Sequence, residues 1–204
     1  MLALSDSIAN HQQNAEITLV AADKECEGLV HAQKRGLNTI CIPYKGRPKS
    51  ESEAAMIAAV KESQAEWIIL AGFMRILSAE FVAEFKDKII NIHPSLLPLY
   101  KGLDTHRRAL ENQDVLHGAT VHIVTPALDD GPILLQGAVP ILRDDTPDSL
   151  AQRLLPVEHW LYQSCVIGLA TGAVTVTDGQ AIWQKPPSDC PENAKVTICH
   201  VKNS

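Results

Sequence analysis

Near the middle of the chain the run "IINIHPSLLP" ends an apolar stretch on two polar side chains, Asn91 and His93, before breaking on Pro94 and Pro98. Residues two apart in a strand face the same side, so this pair projects together into whatever lies beyond the sheet. The two types complement one another. A neutral amide can donate to a developing oxyanion, and an imidazole is well suited to proton transfer near neutral pH. The turn "LDDGP" adds two carboxylates, Asp129 and Asp130, and a carboxylate beside His93 would favour the imidazolium. On spacing alone, the same residues also fit a structural strand end and an ordinary turn. His106, His117 and His122 suggest a metal site with His93, but their spacing matches no common ligand pattern.

Those side chains need elements to carry them. "EITLVAA" (16–22), "NTICIP" (38–43), "EWIILAG" (66–72) and "IINIH" (89–93) read as strands. They alternate with the helical patterns "CEGLVHAQKRG", "SESEAAMIAAVKESQ", "SAEFVAEFKDK" and "THRRALENQ", with Ser50 or Ser52 a candidate cap for the second. This βαβα rhythm predicts an α/β fold with a doubly wound, mostly parallel sheet. Past Gly118 the pattern changes, and "ATVHIVT" and "ILLQGAVPI" predict an antiparallel C-terminal portion. A long helix from Pro147 to about Ala170 and a hairpin turning at Asp178-Gly179 complete the domain, which is expected over residues 1–184. The remainder, 185–204, has the composition of an irregular tail. In open α/β sheets ligands bind beyond the carboxyl ends of the strands. There the run "LAGFMRIL" (70–77) offers Gly72, where backbone can approach a ligand, followed by Met74 and apolar walls.

The 204 residues suit one domain, and a net charge of -6 argues against a nucleic-acid partner. No stretch is long and apolar enough to suggest a membrane span. Five cysteines without a CxxC, in a sequence with no signal peptide, predict reduced thiols and a cytoplasmic protein, with Cys26 and Cys199 as surface or packing residues.

The blocks "LAGFMRIL", "NIHPSLLPLYKGLDTHRRALE", "HGATVHIVT", "LDDGPILLQ" and "VEHWLY", in this order and nearly without gaps, resemble the glycinamide ribonucleotide formyltransferases. The likeness runs from about Ala3 to Trp183. It implies the formyltransferase fold and transfer of a formyl group from 10-formyltetrahydrofolate to the amine of glycinamide ribonucleotide, in purine biosynthesis. Folate would be a co-substrate, with no tightly bound cofactor and no metal. Carried over residue by residue, the resemblance implies catalytic roles for Asn91, His93 and Asp129, the aspartate being counted from the Gly131-Pro132 end. Met74, Arg75, Ile76 and Leu77 would line a folate pocket together with Asn91, and Lys49 would meet the folate's glutamate tail. Glu158 would hydrogen-bond the ribose, with Gly72 also on the nucleotide side. His106, Thr120 and His122 would orient the site from behind. The partners implied are small molecules, to a monomer or homodimer, with neither nucleic acid nor membrane.

The family opens with a strand and a glycine-rich loop that grips the substrate phosphate. This unit has no counterpart in the sequence; "MLALSDSIA" resembles the helix that follows it. The expectation is a sheet lacking its first strand, with unpaired neighbouring edges and exposed apolar surface. The favoured reading is a recorded start at an internal methionine of a longer protein. The alternatives are a folate-binding remnant with impaired catalysis and a formyl-folate enzyme with another acceptor.

Overall fold

The computed structural model describes residues 8, 15–177, 180–188, 191 and 194–198. The elements run β1 (Val20–Ala22), α1 (Glu27–Lys34), β2 (Thr39–Cys41), α2 (Lys49–Glu62), β3 (Ile68–Leu70), α3 (Ala79–Glu84) and β4 (Ile89–His93). Then follow α4 (Thr105–Glu111), β5 (Leu116–Ile123), β6 (Ile133–Pro140), α5 (Pro147–Thr171), β7 (Val174–Thr177), β8 (Gln180–Trp183) and β9 (Lys195–Ile198). The helix-strand alternation therefore holds through β4. Among the described residues β1–β2 pair parallel on their own, the main sheet β3–β4–β5–β6–β9 is parallel at β3–β4 and antiparallel at the other pairs, and β7–β8 form an antiparallel hairpin.

Both faces of the sheet are covered. On one, α5 lays Leu150, Leu154, Val157 and Leu161 against Ile90, Val121 and Leu135, all in one buried cluster. On the other, Met56 and Val60 of α2 and Phe81 and Val82 of α3 close over Ile89. Full burial of such a side chain contributes about 1.5–3 kcal/mol. The long helix is set at both ends. Thr146 Oγ1 accepts from Ser149 N–H while Ser149 Oγ accepts from Thr146 N–H, and Gly172 ends the helix in the left-handed region.

Two local expectations change. Helix α2 begins at Lys49 after Pro48, and neither serine caps it; Ser52 is buried and its hydroxyl donates to the Pro43 carbonyl at 2.9 Å. The segment 195–198 is not irregular: the run "KVTI" adds to the β6 edge, where its backbone finds ladder partners that turn composition hides. The β7–β8 hairpin is present, but its turn residues Asp178 and Gly179 lie outside the described residues. Cys26, Cys41 and Cys165 are free thiols, and Cys199 lies outside the described residues.

The parallel strands fall into two groups. Among the described residues no strand lies between β1 and β3, and each keeps one unpaired edge. A cavity of about 720 Å³ occupies the gap, lined by Leu19, Ala21, Ile69, Val60, Phe81 and Val166. Asp23, directly after β1, pairs at 2.6 Å with Arg75, past the end of β3, so both strands finish on the same side of this slot. No helix among the described residues is long and apolar enough to cross a membrane.

Candidate active site

The polar constellation forms where β4 emerges from the sheet. Ile89 and Ile90 are fully buried; two residues later the strand ends on His93, whose side chain is 8% exposed. Register places Asn91 opposite His122 and His93 opposite Thr120 on the antiparallel neighbour β5. Those facing residues organise the site.

His122 Nδ1 lies 2.9 Å from its neighbour's carbonyl, Ile123 O, which can only accept, so Nδ1 carries the proton. Nε2 is then a lone pair, and the Asn91 amide donates to it at 3.4 Å. Burial holds the His122 imidazole below its ordinary range and so favours this neutral form, against the opposing effects of the Ile123 bond and the Asp129 charge. One N–H of the Asn91 amide is thereby used, and the second remains for a ligand.

Asp129 stands between the two histidines. Its Oδ2 is 3.5 Å from His93 Nδ1 and its Oδ1 is 3.9 Å from His122 Nε2. The backbone at Asp129 is left-handed, with φ of 46°, and its Oδ2 accepts from Gly102 N–H at 2.9 Å. Gly131 makes the turn possible. A Cβ there would sit 1.8 Å from the Ile123 carbonyl oxygen, so a side chain would push the loop off β5. Asp130 does not reach the histidines; it pairs with the Lys101 ammonium. On the far edge of the ring, His93 Nε2 donates to the Tyr100 carbonyl at 2.9 Å. Nδ1 is therefore the nitrogen turned toward Asp129.

The loop between β4 and α4 is pinned from beneath. Thr120 Oγ1 donates to Ser95 O at 2.7 Å and accepts from Leu97 N–H and from the Gln136 amide. His106 takes a different place from the one expected. Its ring packs edge-on to His117 at 4.7 Å between centroids, and in each the Nε2 is buried without a partner. The described residues hold no group of three His, Cys, Asp or Glu side chains placed to share an ion.

The 70–77 segment splits. Met74 and Ile76 are 78% and 65% exposed, an unusual display of apolar surface at a strand's carboxyl end. Leu77 turns into the core with Met56 and Phe81, leaving only its backbone for a ligand. Arg75 bonds Asp23 and lies 4.7 Å from the centre of the Tyr44 ring. Gly72 has φ of +67° and open space where a Cβ would stand. Lys49 is half exposed and 3.7 Å from Glu53. Glu53 itself is buried, accepting from Ser78 N–H at 3.0 Å; sequence reasoning missed it, because a glutamate in a helix reads as surface.

Glu158 lies one turn before Tyr162 on α5, hence on the same helical face. The Tyr162 hydroxyl reaches Leu70 O, at the end of β3, at 2.5 Å and Ile90 O, within β4, at 3.2 Å. Glu158 is half-buried, and burial pushes its carboxyl up to about 7. Tyr100 O and Gly102 N–H, which hold His93 and Asp129, were also missed; backbone groups leave no mark on residue type.

The Formyl transferase family matches residues 1–166, well over half of the chain. The chain belongs to that family. This formyl transferase is 36% identical over 183 residues to the phosphoribosylglycinamide formyltransferase of Escherichia coli K12, covering 88% of this chain and 85% of that protein. It is 42% identical over 176 residues, or 84% of this chain, to the trifunctional purine biosynthetic protein adenosine-3 of Drosophila pseudoobscura. It spans only 13% of that longer relative. Its fold superposes on the glycinamide ribonucleotide transformylase 1 of Symbiobacterium toebii with a TM-score of 0.82 at 32% identity, covering 88% of this chain and 85% of the other.

Proposed function

We propose that this protein transfers a formyl group from 10-formyltetrahydrofolate to the primary amine of glycinamide ribonucleotide, a step of purine biosynthesis. The observation that carries the reading is the Asn91–His122 and His93–Asp129 arrangement: two donors and one carboxylate facing one space. The activity of its relatives, glycinamide ribonucleotide formyl transfer, supplies the substrates.

The amine attacks the formyl carbon, and a tetrahedral oxyanion forms. The free N–H of Asn91 and the Nδ1–H of protonated His93 donate to that oxygen. Asp129 balances the imidazolium and takes the ammonium proton, directly or through water. Collapse breaks the bond to the folate nitrogen, which leaves with the proton that Asp129 took from the amine, passed on directly or through water. Met74 and Ile76 supply apolar cover for the folate, with Gly72 and the Leu77 backbone approaching the ligands closely. Lys49 and Arg75 supply positive charge for its carboxylates. Glu158 faces the ribose hydroxyls. Folate acts as co-substrate, and the chemistry assigned to these residues uses no metal.

The purified protein, given a 10-formylfolate and glycinamide ribonucleotide, should lose formyl-folate absorbance at a rate that requires both substrates. Deformylation at the same rate without the ribonucleotide would assign water as acceptor, and no reaction at all would remove the transfer reading.

A further inference from the structure

The two reacting side chains, His93 at the end of β4 and Asp129 on the loop between β5 and β6, come from different segments, yet three consecutive residues hold both. The Tyr100 carbonyl accepts from His93 Nε2, and Gly102 N–H donates to Asp129 Oδ2, each at 2.9 Å. Between them, the Lys101 side chain pairs with Asp130, next to Asp129. The segment Tyr100–Gly102 thus sets the separation of the histidine from the carboxylate.

That segment is conformationally costly. Tyr100 and Asp104 have φ of 54° and 58°, left-handed backbone that a non-glycine residue keeps only when its surroundings impose it. Arg108, in the first turns of α4, imposes it. Its Nη1 donates to Lys101 O at 2.7 Å and to Leu103 O at 3.3 Å. Its guanidinium carbon lies 5.2 Å from the centre of the Tyr100 ring, whose hydroxyl is fixed to Asp114 at 2.5 Å. The Arg108 cation has no carboxylate within ion-pair distance among the described residues. Its donors go to the loop instead.

We propose that Arg108 is a positioning residue for formyl transfer: by clamping two carbonyls of the 100–103 loop, it fixes the distance between His93 and Asp129 without touching substrate. This deepens the functional reading above and rests on it. One Nη1 group bonds both carbonyls while the planar guanidinium lies over the Tyr100 ring, a combination that a lysine ammonium does not reproduce. A misplacement of reacting groups by about 1 Å can cost on the order of a hundredfold in rate.

The test compares Arg108→Met, Arg108→Lys and, as a neighbouring control, Arg107→Met, which removes only an exposed pair with Asp104. Both Arg108 variants should lose about ten- to a hundredfold in kcat, with KM for each substrate within about twofold of wild type. The control should stay close to wild type. The imidazole 15N resonances of His93 should shift in both Arg108 variants and not in the control. Wild-type kcat in Arg108→Lys would overturn the proposal, because charge alone would then suffice. A loss carried by KM would overturn it by assigning Arg108 to substrate. An unmoved His93 resonance in Arg108→Met would overturn it even in a protein without transfer activity, so this failure is separate from failure of the functional reading.

Discussion

Asn91 donates to the one His122 nitrogen that carries no proton, and that relationship fixes which way the Asn91 amide points. An asparagine side chain is nearly symmetric in shape, so packing alone would tolerate both orientations. The neutral histidine accepts from nitrogen and would repel oxygen. His122→Phe should therefore leave the amide free to rotate, with kcat falling roughly tenfold or more and stability changing little beyond the lost bond. Steady-state kinetics with a thermal melt checks this, and full activity in the variant would sink the orienting role.

Removing charge from the centre should cost more. His93→Ala and Asp129→Asn are each expected to lower formyl transfer by about 10²–10⁴-fold. Folate binding, followed by calorimetric titration, should survive in both, because these groups act on the transition state. Near-wild-type turnover in either variant would dismiss its assigned role.

Gly131→Ala tests the same carboxylate from a distance. The added Cβ would meet the Ile123 carbonyl oxygen at 1.8 Å, so the loop must move and Asp129 with it. The expected result is a loss in kcat comparable to Asp129→Asn in a protein that still folds. If activity is retained, the loop has a freedom that the close approach to β5 denies.

His117 predicts a pH dependence of stability. Burial, followed by the neighbouring His106, holds its imidazole down to about 4 against an ordinary 6.5. Between those values the unfolded chain binds a proton that the folded one refuses. The stability of neutral His117 is thus complete above about 6.5 and falls as pH drops toward 4, by an amount on the order of 3 kcal/mol. His117→Phe should flatten the fall in melting temperature across that window. An unchanged slope would locate the acid sensitivity elsewhere.

Glu158 has the opposite sign. Its carboxyl is raised to about 7 from 4.5, so the folded state keeps a proton that the unfolded state has released, and stability declines as pH rises through that interval. Glu158→Gln should raise the melting temperature at pH 8, corresponding to about 1–3 kcal/mol, and change little at pH 4. The same variant should raise KM for the ribonucleotide. A gain in stability without a loss in affinity would show a buried acid with no substrate to serve.

Much of this architecture is readable from residue order, for physical reasons. "IINIH" reads as a buried strand because period-two placement and the prolines beyond it leave few alternatives, and β4 ends on His93. The long helix reads from Pro147 because proline suits a first helical turn, and the observed helix starts there. What escapes is whatever depends on backbone groups or on partners distant in sequence. Nothing in "LPLYKGLD" announces that Tyr100 offers its carbonyl to His93, since this follows from a left-handed φ at a non-glycine residue. Lys195–Ile198 forms a strand only because β6 has a free edge to receive it. Nor does residue type show that Leu77 packs its side chain with Met56 and Phe81 while Met74 and Ile76, in the same run, stay exposed.

The slot between β1 and β3 has a consequence for cooperativity. A hydrogen-bonded ladder makes adjacent strands open together, and among the described residues no ladder joins β1 to β3. The unit β1–α1–β2 can separate from the rest without breaking a backbone bond to β3. The polar link at that end is Arg75–Asp23, a partly exposed pair worth about 0–1 kcal/mol. Although Ile40 and Ile42 still pack against Met56 and Phe81, hydrogen exchange should show the amides of this unit opening before those of Ile90 or Val121. Because Arg75 also sits in the segment assigned to folate, ligand occupancy and this partial unfolding draw on the same side chain. Binding there would be thermodynamically linked to whether the first two strands stay docked.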